Sequence, residues 1–199
     1  YSVYLPDHDV TTEMTPTERA AQFRFTFPHT DSAFVVVDAF DKGSYIKIIP
    51  EQNKIIGYST RNSGGVTENF KNYFVIQFQK PFETFYTWHD SVLRKGEKEL
   101  QKAHTGAVLH FKTRKGEQIT AKVASSFISF EQAELNLERE LKGQSFEATK
   151  AAAKKNWNNV LGRVQVEGGT EEQVKTFYSC LYRMVQFPQK LYEINAEGK

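Results

Sequence analysis

Residues 19–39 read RAAQFRFTFPHTDSAFVVVDA, which predicts two neighbouring β-strands joined by a turn. In the first half, Phe23, Phe25 and Phe27 alternate with polar residues, the period of two that gives a strand one apolar face. The PHTDS segment that follows is rich in turn formers. Residues 34–39 (FVVVDA) are a β-branched, apolar run, so we expect a central strand that is covered on both faces.

Strand-like runs recur through the first two thirds of the chain. Turn-forming segments separate them, for example DKGS at residues 41–44 and NSGG at residues 62–65. The further runs lie at residues 45–49, 54–60, 72–78, 83–89, 107–112 and 118–125. Because many strands are joined by short turns at regular spacing, we predict an antiparallel β-sandwich rather than alternating βαβ units.

A change of apolar period near residue 128 divides the chain. Before it apolar residues recur every two positions, and beyond it they recur about every 3.6 positions, as in a helix. We therefore predict a β-sandwich domain at residues 1–128 and a helical linker at residues 129–199, a mainly β protein with α-helices. The linker should hold two or three helices, a short strand-like link at residues 163–166, and a last helix that runs to Pro188 with a broad aromatic face.

Three hydroxyl residues mark where the helices begin. Ser129 and Thr170 are each followed three positions later by a glutamine, Gln132 and Gln173, which is the spacing of a capping box. Ser145 is placed to cap a further helix between them. These caps predict helices that start near residues 130, 146 and 171.

The composition fits a globular protein and excludes several other classes. Hydrophobic residues make up 39% and aromatic residues 14% of the chain, which argues against disorder. A net charge of +2 provides no strong field for nucleic acid or an acidic membrane. No apolar run approaches the roughly 20 residues needed to cross a bilayer. The single cysteine, Cys180, cannot form an internal disulfide, and its helical neighbours predict a buried thiol.

The sequence contains no recognisable catalytic or metal-binding motif. CxxC, HExxH, EF-hand and GxSxG patterns are all absent. The acidic residues cluster in pairs, such as Glu131 with Glu134, on the polar faces of predicted helices, where solvated carboxylates are the ordinary case. We therefore assign no catalytic residue and no metal ligand within this chain.

One aromatic group suggests sugar binding. Trp88, His89 and Asp90 end a predicted strand, and Tyr86 has the same strand parity as Trp88. A tryptophan face can stack on the apolar face of a sugar while His and Asp bind its hydroxyls, so these three residues are the candidate sugar contacts. The competing interpretation is that Trp88 packs in the core or at the rim of the sandwich.

Four segments, in order along nearly the whole chain, resemble glycoside hydrolase family 92. MTPTERAAQFRFTFP at residues 14–28 is similar to the family's T-A-T-x-R-x-G-x-H-x-Y-T-F-P, although Ala21 and Phe23 replace its Gly and His. YFVIQFQKPF at residues 73–82 resembles Y-F-x-x-x-F-S-K-P-F. SFISFEQAELNLERE at residues 126–140 and TEEQVKTFYSCLYRMVQFP at residues 170–188 match two further family patterns.

The resemblance implies a β-sandwich of the supersandwich type, joined through helices to an (α/α)6 catalytic domain beyond residue 199. Family members are calcium-dependent, inverting exo-α-mannosidases, typically exported bacterial proteins found in the periplasm or at the cell surface. Their catalytic acids and calcium ligands are expected beyond residue 199, so this chain alone should be inactive and bind no metal ion. A glycine-rich motif that contacts sugar would precede Tyr1, and both ends of the chain look cut.

The resemblance therefore predicts a non-catalytic N-terminal region of an α-mannosidase. Its expected partners are its own C-terminal catalytic domain, which it would buttress, and mannose-containing glycans, whose pocket it would help to form. No nucleic acid or membrane span is expected. The alternatives are a carbohydrate-binding β-sandwich without hydrolase activity and a family member whose parent protein has lost activity.

Overall fold

A computed structural model describes residues 1–186, 190 and 192–199. The described residues form twelve β-strands followed by three α-helices. The strands are β1 (Ser2–Leu5), β2 (Val10–Pro16), β3 (Ala20–Phe27), β4 (Thr30–Asp38), β5 (Ser44–Ile49), β6 (Lys54–Ser59), β7 (Asn72–Phe78), β8 (Thr84–His89), β9 (Val92–Lys95), β10 (Glu99–Lys102), β11 (Gly106–Thr113) and β12 (Glu117–Ser126). The helices are α1 (Phe130–Leu141), α2 (Phe146–Leu161) and α3 (Glu171–Met184). Pro188, where the last helix was predicted to end, lies outside the described residues.

The strands form two antiparallel sheets that face each other. The large sheet has the order β1-β2-β3-β12-β7-β6-β5-β10, and the small sheet has the order β4-β11-β8-β9. Their facing sides hold the main core, to which the large sheet contributes Ile48, Phe78 and Ile119 and the small sheet Leu109 and Phe111. The predicted antiparallel β-sandwich followed by helices is confirmed.

Helices α1 and α2 add a third layer on the outer face of the large sheet, and α3 contacts α2. Helix α1 lies across β12, β7 and β3, and its Ala133 and Leu141 are completely buried. The sheet offers small residues beneath it, Ala20 and Ala124, which let the helix approach closely. At the start of α1, Phe130 packs edge-on against Tyr73 with ring centroids 4.9 Å apart. Both faces of the large sheet are therefore covered where α1 crosses it.

The predicted helix caps are present, with one difference. Ser129, Ser145 and Thr170 each accept a hydrogen bond from the backbone N–H three residues later. The reciprocal bond of a capping box forms only at Thr170, whose N–H donates to Gln173 Oε1 at 2.8 Å. The side chain of Gln132 instead turns into the packing between α1 and the end of the chain.

The prediction of a central strand at residues 34–39 is wrong. The run lies in β4, which is an edge strand of the small sheet. Phe34 is 48% exposed and Val36 is 62% exposed, while Ala33 on the other face is buried. Apolar residues on both faces normally identify a central strand, and here the side chains on one face have no cover among the described residues.

Two smaller expectations also fail. Residues 163–166 are described and form turn and coil rather than a strand. Cys180 is exposed and not buried, because no residue of α3 is buried among the described part of the chain.

Candidate functional site

A set of buried polar contacts joins the sandwich to the helices, and we call it the junction. It comprises contacts of β3, the β2–β3 turn, α1, α2 and residues 190 and 192–195. At its centre, Gln22 of β3 is 3% exposed and Thr149 of α2 is also 3% exposed. Gln22 Nε2 donates to Thr149 Oγ1 at 2.6 Å and approaches the carbonyls of Gln144 and Ser145 at 3.3 and 3.2 Å. The first turn of α2 is thereby fixed on the outer face of the large sheet.

Glu140, in the last turn of α1, holds the turn between β2 and β3. Its carboxylate accepts the backbone N–H of Arg19 at 2.9 Å and 3.2 Å, one distance for each oxygen. It also accepts the hydroxyl of Thr17. The Arg19 N–H and the Thr17 hydroxyl give the Glu140 carboxylate a positioning role, because it ties the β2–β3 turn to α1.

The end of the chain folds back onto α1. Asn136 is 4% exposed, and its amide nitrogen donates to the Ser125 carbonyl and to Glu193 Oε2, both at 2.9 Å. Glu193 Oε1 in turn accepts the backbone N–H of Phe127 at 2.8 Å. Gln132 Nε2 donates to the carbonyl of Ile194 at 2.9 Å. Glu193 and Ile194 are thus tied to helix α1 and to the backbone that follows β12.

An ion-pair group extends the junction toward α2. Arg24 of β3 donates to Glu13 Oε2 at 2.6 Å and to Glu147 Oε1 at 2.8 Å. Its guanidinium also lies 4.1 Å from the centre of the Phe146 ring. The hydrogen bond from Arg24 holds the pKa of the Glu13 carboxyl below its usual range. The sequence placed Arg24 on a polar strand face, and the structure covers that face with a helix.

The three predicted sugar contacts do not come together on one surface. Successive side chains of a strand point to opposite faces, so Trp88 and His89 lie on opposite sides of the small sheet. His89 Nδ1 is 3.0 Å from Asp90 Oδ2, and its Nε2 is 3.1 Å from a nitrogen of Arg94. Asp90 and Ser91 have φ of 46° and 63°, as a two-residue hairpin turn requires. Sugar contact by these residues stays a prediction.

Trp88 packs against the small sheet instead. Its ring meets the His104 ring edge-on with centroids 5.0 Å apart. A Cβ added at Gly106 would lie 2.5 Å from Trp88 Nε1, so the indole rests directly on the backbone of β11. Trp88 Nε1 is buried and has no hydrogen-bond partner among the described residues. This geometry favours the packing interpretation of Trp88.

Sequence reasoning missed an exposed aromatic residue beside this group, Phe40 in the β4–β5 turn. Its φ of 64° is left-handed, which is uncommon for a bulky residue, and it is 55% exposed. Asp38 Oδ1 accepts the N–H of Phe40 at 2.7 Å and lies 2.8 Å from His104 Nε2. Arg61 pairs with Asp41 and lies 6.0 Å from the Phe40 ring centre. The DAFDKG sequence indicated a turn there, but nothing in it distinguished an exposed ring from a packed one.

Two further observations concern the part of the chain that the structure describes. It contains no group of three or more His, Cys, Asp or Glu side chains placed to hold a metal ion. None of its helices has both the length and the apolar composition that a membrane crossing demands.

Comparison with known proteins covers almost the entire chain. Residues 1–126 match the glycosyl hydrolase family 92 N-terminal domain, and residues 132–199 match the family 92 catalytic domain. The structure is similar to the inverting family GH92 mannosidase BT2199 from Bacteroides thetaiotaomicron, with 41% identity and a TM-score of 0.95. It is also similar to the family GH92 α-mannosidase BT3965 from the same organism, with 25% identity and a TM-score of 0.83 over 97% of this chain.

A curated relative from Arthroderma benhamiae, described as an uncharacterized secreted glycosidase, is 23% identical over 92% of this chain. The chain spans 27% of the length of this relative and 27% of the length of BT2199, all of the chain being covered in the latter. The N-terminal domain match alone takes in well over half of the residues. The chain therefore belongs to glycosyl hydrolase family 92.

Proposed function

We propose that the full-length protein is an exported, inverting exo-α-mannosidase that acts on mannose-containing glycans, with residues 1–199 as a non-catalytic N-terminal region. The observation that carries the proposal is the similarity of the whole chain to an inverting mannosidase at a TM-score of 0.95. The description of the Arthroderma benhamiae relative as secreted supports export.

The role that we propose for this region is to buttress the catalytic domain. The junction supports this role, because the junction joins the sandwich to the segment from residue 132 onward, which matches the catalytic domain. Gln22 and Asn136 are buried and hydrogen-bonded on both sides of this boundary. Buried amides with satisfied partners specify one arrangement, since any other would leave them unpaired at about 1–3 kcal/mol each. The sandwich would thereby fix the position of the first catalytic-domain helices.

Inverting hydrolysis needs a carboxylic acid that protonates the leaving oxygen and a carboxylate that activates water, roughly 6.5–9.5 Å apart. Two half-buried carboxylates are engaged in holding the fold, Glu13 with Arg24 and Glu140 with the β2–β3 turn. We therefore place both catalytic carboxyls outside residues 1–199 and expect this chain alone to hydrolyse no glycoside.

We place the calcium ion of the proposed enzyme outside these residues as well. Calcium takes about six to eight oxygen ligands. The described residues do not fit such a site, because no three of their acidic or histidine side chains converge. No step of the reaction is assigned to this chain through a metal ion.

The turn that contains Phe40 is the part of the sandwich that we propose to border the sugar pocket. Strand pairing aligns Ser44 with Ser59, Ser59 with Asn72, and Tyr73 with Ser126, so these positions lie at one end of the sandwich. The helices leave from this same end, directly after Ser126. An exposed aromatic ring beside Arg61 suits contact with the apolar face and the hydroxyls of a sugar.

Mannose release from α-linked mannobiose by the full-length protein, with and without a calcium chelator, tests the proposal. We expect release that the chelator abolishes and that added calcium restores, and no release by residues 1–199. Absence of release from every α-linkage by the folded protein would contradict the mannosidase proposal and favour an inactive family member. Release by residues 1–199 would contradict their non-catalytic role.

A carbohydrate-binding module without hydrolase activity is the second candidate, and the exposed ring of Phe40 favours it. The Trp157→Phe variant leaves Trp88, near the Phe40 turn, as the one fluorophore of its kind. Binding of mannose at this turn would change the emission of Trp88, and Phe40→Ala would remove the change. The scaffold role predicts constant emission in residues 1–199 at every sugar concentration.

A further inference from the structure

Strand β4 pairs with a neighbour on one side only among the described residues. This neighbour in the small sheet is β11, and the register runs from Asp38 opposite Gly106 to Phe34 opposite His110. Just beyond the strand, the N–H of Ala39 donates to the carbonyl of Thr105 at 3.1 Å. Backbone groups alternate in direction along an antiparallel strand, so the N–H groups of Val35 and Val37 also face β11. Those of Phe34 and Val36 face the open edge.

The middle of this edge lacks the charges and prolines that keep exposed edges from pairing, although Asp31 and Asp38 lie near its ends and the pairing with β11 is irregular at Thr113. The edge strand is nine residues long, and neither lysine, arginine nor proline occurs in it. The opposite edge of the same sheet, β9, is four residues long and carries Arg94 and Lys95. Phe34 and Val36 are 48% and 62% exposed, so β4 presents apolar side chains together with free backbone groups. A long, flat, apolar edge is the kind that acquires another strand.

An apolar crevice lies next to the open edge. Residues of β2 and β3 on one side and of β4 on the other line this crevice between the two sheets. Phe23 and Phe25, which face this side, are only partly buried. The crevice has a volume of about 630 Å³ and is lined by these two rings and by Leu5, Val10 and Phe34. An additional strand beside β4 would cover it with one row of its side chains.

We propose that, in the full-length protein, a further β-strand of the same polypeptide pairs with β4 and closes this crevice. The chain spans 27% of the length of BT2199, so a relative of that size has ample polypeptide to supply a strand. Residues from 132 onward match the catalytic domain and are helical where regular. The strand is therefore placed on the N-terminal side of Tyr1. The run FVVVDA would then lie in an interior strand of the small sheet, with a paired neighbour on each side, as its sequence predicts.

Residue-resolved hydrogen–deuterium exchange on the full-length protein tests the inference. The amides of Phe34 and Val36 should exchange at least about 100-fold more slowly than unstructured amides. Val35 and Val37, which face β11, are internal controls that should be protected in either case. Unprotected exchange at Phe34 and Val36 beside protected Val35 and Val37 would overturn the inference. Protection that appears only in a dimer, as resolved by light scattering, would overturn it in favour of a second copy.

A pair of variants tests the covering of the side chains. Leu5→Lys should lower the Tm of the full-length protein by about 2–4 °C or more, because Leu5 lines the crevice and the lysine would be placed under the side chains of the added strand. Val92→Lys, at a 50% exposed site in β9, is the matched control and should leave Tm within 1 °C or so. Equal Tm values for the two variants would contradict the inference. Neither readout depends on mannosidase activity, so a failed activity assay leaves this test intact.

Discussion

Replacing Gln22 by Met removes the central polar contact of the junction while it keeps most of the side-chain volume. The amide of Gln22 has two N–H groups and three oxygens within reach, at Thr149, Ser145 and Gln144. The loss therefore amounts to two hydrogen bonds at about 0.5–1.5 kcal/mol each, or about 1–3 kcal/mol of unfolding free energy in total. Methionine fills nearly the same space, so no large cavity contribution is expected.

Urea and thermal unfolding of residues 1–199, followed by circular dichroism, measure the effect. A loss of about 2 kcal/mol lowers the Tm of a chain of this size by about 4–8 °C. Gln118→Met is the matched control, because Gln118 lies on the adjacent strand β12 of the same sheet and is exposed. Its Tm should change by about 1–2 °C at most.

The reasoning would be refuted by equal losses in the two variants, since the burial of Gln22 would then carry no energetic weight. It would also be refuted if Gln22→Met unfolded the whole sandwich but Gln22→Glu did not. A glutamate at position 22 faces the same carbonyl oxygens and would repel them, so it should destabilise more than methionine.

Two further predictions concern other parts of the structure. Gly106→Ala should shift the emission of Trp88 and lower the free energy of unfolding by about 1–3 kcal/mol, because the new Cβ would collide with the indole and with the carbonyl of Val37. Unchanged emission would show that the indole does not rest on β11. Because the native pKa of Glu13 lies below its unfolded value, its pairing with Arg24 stabilises the fold above about pH 4.3 and is lost as the pH falls through the native pKa. In Glu13→Gln the free energy of unfolding should therefore decline less steeply with acid than in the parent chain, and identical acid profiles would contradict this.

Local patterns predicted the elements that depend on neighbours in sequence. The alternation of Phe23, Phe25 and Phe27 is visible in the sequence, and these rings pack toward the core of the sandwich. Ser129 and Thr170 cap helices where their spacing predicted caps, because capping joins residues only three positions apart.

The remainder depends on contacts between segments that are distant in sequence. A period of two shows that one face of β3 is polar, but it does not reveal that α2 covers that face and buries Gln22. In the same way, the apolar run in β4 indicates two faces that favour burial, but it does not predict which strand lies beside β4 in the sheet. Helix periodicity predicts an apolar face for α3 and so a buried Cys180. Whether another segment of the protein packs on that face cannot be read from the periodicity of the helix itself. The exposure of the Phe40 ring likewise depends on segments that are distant in sequence, and the sequence around it does not predict it.

The return of residues 190 and 192–195 to the sandwich has a consequence for the order in which the protein folds. Arg19 donates to the carbonyls of Lys190 and Tyr192, which are 171 and 173 positions away along the chain. Closing a flexible loop of this length directly costs about 5 kcal/mol of chain entropy, as (3/2)RT ln n. Once α1 and α2 have docked, the open loop shrinks to roughly 30 residues and the cost falls to about 3 kcal/mol. The folding order with the lower entropy cost is therefore sequential. The sandwich forms first, α1 and α2 then pack on it, and the contacts of Lys190 and Tyr192 with Arg19 form last.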